Sequence, residues 1–260
     1  MTVREITAAL EGFAPLSIQE KWDNSGLCIG SPDQEVHGIL LGFDCTPALI
    51  DEAVEAGADL VVTHHPLIFG GLRKIAPEDP VGLAVIKAVR AGIAVYAAHT
   101  TADKVIEGVS GAMARKLGLR NIGILCREED GIGLGAVGDL PEPLSAGEVL
   151  ALVKERFSLP LIRSSRPVEG PVRRIAMCGG AGSDMIGDAQ RAGAQLYITG
   201  DLSYHRFAVP DGFMVADIGH FESEVEIVSI LFSWIRKKFP TFAVRISEKL
   251  NSSNLVHYYL

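Results

Sequence analysis

Short β-branched runs alternate with helix-length segments through most of this chain, and that alternation narrows the fold more than any other feature. Residues 38–43 read as a buried strand, 47–56 as a helix, 59–63 as a second strand and 80–91 as a second helix. A strand over 94–98 and a helix over 105–117 continue the series. Strands joined through helices need crossover connections, so the pattern predicts an α/β fold with largely parallel sheets covered on both faces. The segment 123–139 breaks the rhythm: it is rich in glycine and predicts one or two further strands. Ser145-Ala-Gly-Glu148 then has the spacing of a capping box that opens a helix. Alternation resumes with strand 174–178, helix 183–192, strands 195–199 and 213–216, and a long helix over about 220–237. The break near residue 125 predicts a first α/β domain over 1–125, completed by 219–260, and a second over 126–218.

An internal repeat supports two similar halves. Displaced by 136 positions, Ile50-x-x-Ala-x-x-Ala-Gly-Ala-x-Leu-x-x-Thr63 falls on the same pattern from Ile186 to Thr199. The copies part after the shared threonine. The first continues His64-His65-Pro66 and the second Gly200-Asp201-Leu202, so only one copy carries imidazoles at that point.

Composition excludes several classes. The longest apolar runs have strand length, far short of the roughly 20 residues a spanning helix needs. Glu5 and Glu11 stand where a secretory signal would be basic and then apolar, so a cytoplasmic protein is expected. A net charge of −8 disfavours non-specific binding to nucleic acid or an anionic membrane. The four cysteines lie far apart with no C-x-x-C pair, and read as buried thiols. No G-x-x-x-x-G-K-[ST] or G-x-S-x-G motif occurs.

Three spots at the ends of strand-like segments carry the chemistry, where open α/β sheets place their ligand sites. His64 and His65 follow the second strand, His99 follows the third with Asp103 four residues on, and His220 precedes Glu224 by one helical turn. On a helix, that i, i+4 spacing puts His220 and Glu224 on one face. Imidazole and carboxylate ligands suit zinc, iron, manganese, cobalt or nickel. Each spot has a plainer reading: a polar strand end for His64 and His65, an N-cap for Asp103, a solvated helix start for His220 and Glu224. Gly179-Gly-Ala-Gly182 is either a weak anion cradle or a tight β-to-α turn. Arg73 and Lys74 could meet a phosphate or lie in a solvated loop, and Asn24 and Asp44 could line a pocket or cap backbone.

Taken in order, Trp22-Asp-Asn-Ser-Gly-Leu27, Val62-Thr-His-His-Pro-Leu-Ile-Phe69, Ala98-His-Thr-Thr-Ala-Asp103, Ile198-Thr-Gly-Asp201 and Asp217-Ile-Gly-His-Phe-Glu-Ser-Glu224 resemble the signature of the type 2 GTP cyclohydrolase-like, or NIF-three-like, dinuclear-metal proteins. The resemblance runs over about residues 3–248. It implies a toroidal homohexamer of two-domain α/β subunits, each with a two-metal site in the cleft between its domains. His64, His65, Asp103, His220 and Glu224 fall on the family's metal ligands. His99 falls on an accompanying histidine, and His205 on a position near the cleft, as a proton shuttle or a packed ring. Thr101-Ala102 and Asn254-Leu255 depart from the family's usual Asn-Leu and Asn-Pro steps.

The expectation is a metal-dependent hydrolase with two divalent ions per subunit. His99 and His205 are its candidate catalytic residues, Asn24, Asp44 and Lys74 its candidate substrate contacts, and a purine nucleotide or related small molecule its substrate class. The competing expectation is a ring-forming metal-binding or partner-binding scaffold without turnover. Five N/O ligands for two ions leave positions open to water or substrate, unlike closed, sulfur-rich structural zinc sites.

Overall fold

Every β-α-β step expected in the first part of the chain forms, and the reason is legible in the caps. In the computed structural model, which describes residues 1–128 and 131–259, helix α1 (Val3–Glu11) opens on a reciprocal Thr2–Glu5 capping box. Strand β1 (Gly26–Ile29) precedes β2 (Gly38–Gly42), α2 (Pro47–Glu55) and β3 (Leu60–Thr63). Helices α2 and α3 (Pro80–Ala91) each start with proline after an N-cap, Thr46 and Asp79, whose side chain accepts an amide hydrogen bond. Strand β4 (Ala94–Ala97), the short α4 (Thr100–Asp103) and α5 (Val109–Lys116) follow. Then come the hairpin β5 (Arg120–Arg127) and β6 (Gly133–Leu144), α6 (Ala146–Arg156), β7 (Arg163–Ser164), β8 (Val172–Met177) and α7 (Ile186–Arg191). The chain closes with β9 (Leu196–Thr199), β10 (Met214–Asp217), α8 (His220–Glu224), α9 (Glu226–Lys238) and β11 (Ala243–Ile246).

Two compact units result: Met1–Ala102 with Ile227–Val256, and Asp103–Glu226 with His257–Leu260. The first holds a sheet ordered β1-β4-β3-β2-β11, parallel throughout except at β1. Leu40, Val61 and Val95 enter one cluster with Ile50, Ala53 and Val85 of α2 and α3. Ile39, Leu41, Leu60 and Val62, of opposite parity, are equally buried, which is why these strands read as unbroken apolar runs. Trp234 of α9 donates to the Ala9 carbonyl of α1 and tilts against Phe13, tying the distant C-terminal helix back to the N-terminal one.

The second unit holds a sheet ordered β5-β6-β8-β9-β10-β7. Its parallel centre, β8-β9-β10, is extended by antiparallel β5 and β6 on one side and β7 on the other. Ala176, Ala189, Tyr197 and Val215 share its core. The internal repeat marks one βαβ turn in each unit, β2-α2-β3 and β8-α7-β9. In both, the glycine of Ala-Gly-Ala ends the helix in the left-handed region, Gly57 at φ 65° and Gly193 at φ 74°.

Two helices differ from expectation. The one expected over 105–117 starts only at Val109, with Gly108 as N-cap, so Asp103 is not its cap. Lys104 holds the intervening segment to the hairpin instead, through its carbonyl to the Gly133 amide and its buried ammonium to Glu128 (2.8 Å). The helix expected over 220–237 is broken at Val225. Ser223 Oγ donates to the His220 carbonyl (2.7 Å), competing with the helical ladder just before the break. Strands β1, β7 and β11 and helix α1 add to the expected elements.

Candidate metal centre

Strand β3 ends in Thr63, whose hydroxyl donates to the His65 carbonyl (2.7 Å), while the His64 and His65 amides both donate to the Phe43 carbonyl. These bonds fix two successive imidazoles at the carboxyl end of the central parallel strands. His64 is fully buried and its Nδ1 lies 3.0 Å from the Ala98 carbonyl. A carbonyl only accepts, so Nδ1 carries the proton and Nε2 keeps the lone pair that a metal takes. His65 Nδ1 lies 2.7 Å from Asp44 Oδ1, and His99 Nδ1 lies 2.7 Å from Asp23 Oδ1. The three rings cluster, with His99 5.4 Å from each of the other two by centroid. Exposed His37 makes the same kind of contact with Asp59 (3.2 Å), so burial and clustering, rather than the contact alone, distinguish the three.

Asp23 sits at the base of this group with its side chain fully buried. Burial alone would raise its pKa. Hydrogen bonds from His99, Thr100 and Ser25 outweigh that and hold the carboxyl well below its ordinary range, so it stays ionised.

In the second unit, α8 brings His220 and Glu224 onto one face with His220 Nε2 3.0 Å from Glu224 Oε2, and His220 Nδ1 lies 2.8 Å from Asp201 Oδ2. Glu224 is buried against the loop after β8. A Cβ on Gly180, whose φ is 61°, would overlap Glu224 Oε1, so only glycine leaves room for that carboxylate. The Gly180 and Gly182 amides are taken by Ser223 Oγ (3.0 Å) and Thr199 Oγ1 (2.9 Å). The glycine-rich loop is therefore a tight turn that seats Glu224, and not an anion cradle. The Cys178 thiol is raised chiefly by burial, and further by the Asp103 and Glu224 carboxylates. Its sulfur stays protonated, which leaves the oxygens as the donors of this region.

The repeat explains why its copies diverge. Asp44 of the first copy, the partner of His65, corresponds to Gly180 of the second, where Glu224 needs the space. His64 corresponds to Gly200, at which a Cβ would press on the backbone of Gly219 and His220 at 2.9 Å.

The remaining expected residues fall as follows. Asn24 donates its side-chain amide to the Ile68 carbonyl, a local backbone cap. Lys74 and Arg73 are exposed on an irregular segment. His205 lies in a 3₁₀ turn, Tyr204–Phe207, and is exposed beside the Tyr204 ring rather than packed. Asp103 ends α4 and is half-buried. The orienting partners Asp23, Asp201 and the Ala98 carbonyl were given no role from sequence. Asp23 and His99 are 76 positions apart, and no spacing rule joins them.

The first unit thus offers the imidazole nitrogens of His64, His65 and His99, and the second offers the imidazole of His220 and the carboxylate of Glu224, donor types that suit a divalent metal. Among the described residues, no helix is long and apolar enough to cross a membrane.

Comparison with known proteins gives a concordant result. Residues 1–252 match the family described as Duf34/NIF3 (NGG1p interacting factor 3). A "GTP cyclohydrolase 1 type 2 homolog" of Clostridium perfringens is 35% identical over 231 residues, covering 86% of this chain and 87% of its own. A protein of the same name from Streptomyces coelicolor is 37% identical over 207 residues, covering 77% and 73%. The crystal structure of a hypothetical protein of Staphylococcus aureus superposes with a TM-score of 0.92 at 26% identity, over 100% of this chain and 99% of its own.

Proposed function

The chain belongs to the Duf34/NIF3 family, and on that premise we propose that it is a metal-dependent hydrolase of a small molecule, holding a pair of divalent ions through His64, His65, Asp103, His220 and Glu224. The observation that carries the reading is the fixed orientation of the imidazoles. His64, His65 and His220 each give Nδ1 to a carbonyl or carboxylate, the arrangement that orients metal-binding histidines and raises their basicity. The donor set fits zinc, iron, manganese, cobalt or nickel.

When bound, such ions supply Lewis acidity, polarising the bond under attack and easing loss of a proton from water. The chain's own residues supply the rest. Asp44 and Asp201 hold the rings of His65 and His220. His99, its Nδ1–H given to ionised Asp23, can take a proton at Nε2, and the buried carboxylate stabilises the imidazolium that results. His205, exposed beside Tyr204, is suited to passing protons to solvent. The name carried by the relatives supports a purine nucleotide as substrate, and exposed Lys74 is available to meet its phosphates. The protein acts in the cytoplasm as a homo-oligomer, read as a ring of six, which the mass by light scattering checks.

Elemental analysis of the wild type, His64→Ala and Glu224→Ala, followed by a hydrolysis screen with GTP and phosphate esters, tests the proposal. About two ions per subunit in the wild type, lost in the variants together with a metal-dependent activity, is the expected result. Metal without turnover would move the protein to the scaffold class, and a metal-free wild type would overturn the site.

A further inference from the structure

Two of the largest apolar side chains of the first unit are left in solvent beside its histidines. Trp22 is 59% exposed and Phe69 55% exposed, with ring centroids 5.8 Å apart and planes tilted by 48°. Each meets His99 edge-on, Trp22 at 6.1 Å and Phe69 at 5.9 Å. His99 is in turn in ring contact with His64 and His65, so the aromatic pair continues the candidate metal centre outward. The pair is not loosely held. Trp22 precedes Asp23, which anchors His99, Thr100 and Ser25, and Asn24 donates to the carbonyl of Ile68, next to Phe69. The backbone under both rings is thus pinned by the same bonds that fix the histidine.

An exposed aromatic pair on a rigid base is an adjoining apolar surface of the kind that marks an interaction site. The face of a heteroaromatic ring suits such a surface, because stacking needs no hydrogen-bond readout and tolerates different bases. Arg73 and Lys74, exposed on the segment that follows Phe69, add positive charge suited to an anionic group on such a ligand.

We propose that Trp22 and Phe69 form a stacking platform that binds the planar heteroaromatic ring of the substrate and presents it to the histidine cluster. This rests on the hydrolase reading for what the ring is presented to, but ring binding itself needs no metal. Phe69 and Trp22 are then binding residues that favour ring-bearing ligands over ring-free ones.

Fluorescence tests it, because the chain has two tryptophans and Trp234 lies against Phe13 with its indole bonded to Ala9. In full-length Trp234→Phe protein, guanosine and adenosine are titrated with ribose 5-phosphate as the ring-free control, with and without chelator. Metal content is measured on the same samples. Saturable quenching of Trp22 by both nucleosides and not by ribose 5-phosphate is expected, weakened about 10-fold by Phe69→Leu with metal content unchanged. Quenching by ribose 5-phosphate alike, or none by either nucleoside, would overturn the platform even if the metal is present. Quenching in protein that holds no metal as purified, before any chelator is added, would leave the platform standing while the metal reading fell. If Trp22→Leu or Phe69→Leu instead lowers the oligomer mass by light scattering, the rings are a subunit contact and the proposal fails.

Discussion

Replacing Gly180 by alanine separates the cost of a left-handed backbone from the cost of crowding Glu224. At φ 61° an alanine pays about 1–2 kcal/mol for its conformation alone. Its Cβ would also overlap Glu224 Oε1 and crowd the carboxyl carbon at 3.0 Å, so the buried carboxylate must turn away from its place beside His220. Disturbing a buried polar group of this kind adds about 1–3 kcal/mol. The sum is of order 2–5 kcal/mol, which for a chain of this size lowers Tm by roughly 4–20 °C. On the proposed metal site, displacing Glu224 should also weaken metal binding by at least the 10–100-fold seen for outer-shell changes. Gly193→Ala is the control: its φ of 74° carries the same backbone cost, but no atom lies within 4 Å of the added carbon. Thermal unfolding with and without chelator, and metal titration of the two variants, give both readouts. If Gly180→Ala binds metal as the wild type does and melts no lower than Gly193→Ala, then Glu224 is not seated by this loop and the argument fails.

Two further outcomes follow from the same geometry. Gly57→Ala and Gly193→Ala occupy equivalent helix ends of the repeat with open space around each, so denaturant titration should find each destabilised by about 1 kcal/mol. A large difference between them would argue against equivalence of the two turns. The folded-state pKa of Asp23 is depressed from its ordinary 3.8, so its ionised form contributes stability that is present above about pH 4 and lost as pH falls towards the folded value. Asp23→Asn should therefore lie below the wild type in stability at pH 7, with a gap that narrows by pH 3 in urea titrations; a pH-independent gap would refute the assignment.

Periodicity along the chain settled the α/β class, because buried parallel strands must be continuously apolar, and the capping box at Ser145 marked one helix start, whereas the caps at Thr46 and Asp79 emerged only in the structure. The Ala-Gly-Ala repeat likewise followed from a local need, a left-handed residue between helix and strand. The edge strands β1, β7 and β11 stayed hidden, since a strand of two to four half-exposed residues has little pattern of its own and forms because a neighbour offers a ladder. The candidate ligands were visible as residue types at strand ends. Their orientation was not. Asp23 meets His99, Asp44 meets His65 and Asp201 meets His220 across 76, 21 and 19 positions, contacts that depend on how strands are ordered in a sheet. Sequence carries the short-range physics of caps, turns and periods, whereas the partners that hold an imidazole in place are chosen by packing between segments distant in the chain, which only the tertiary structure decides.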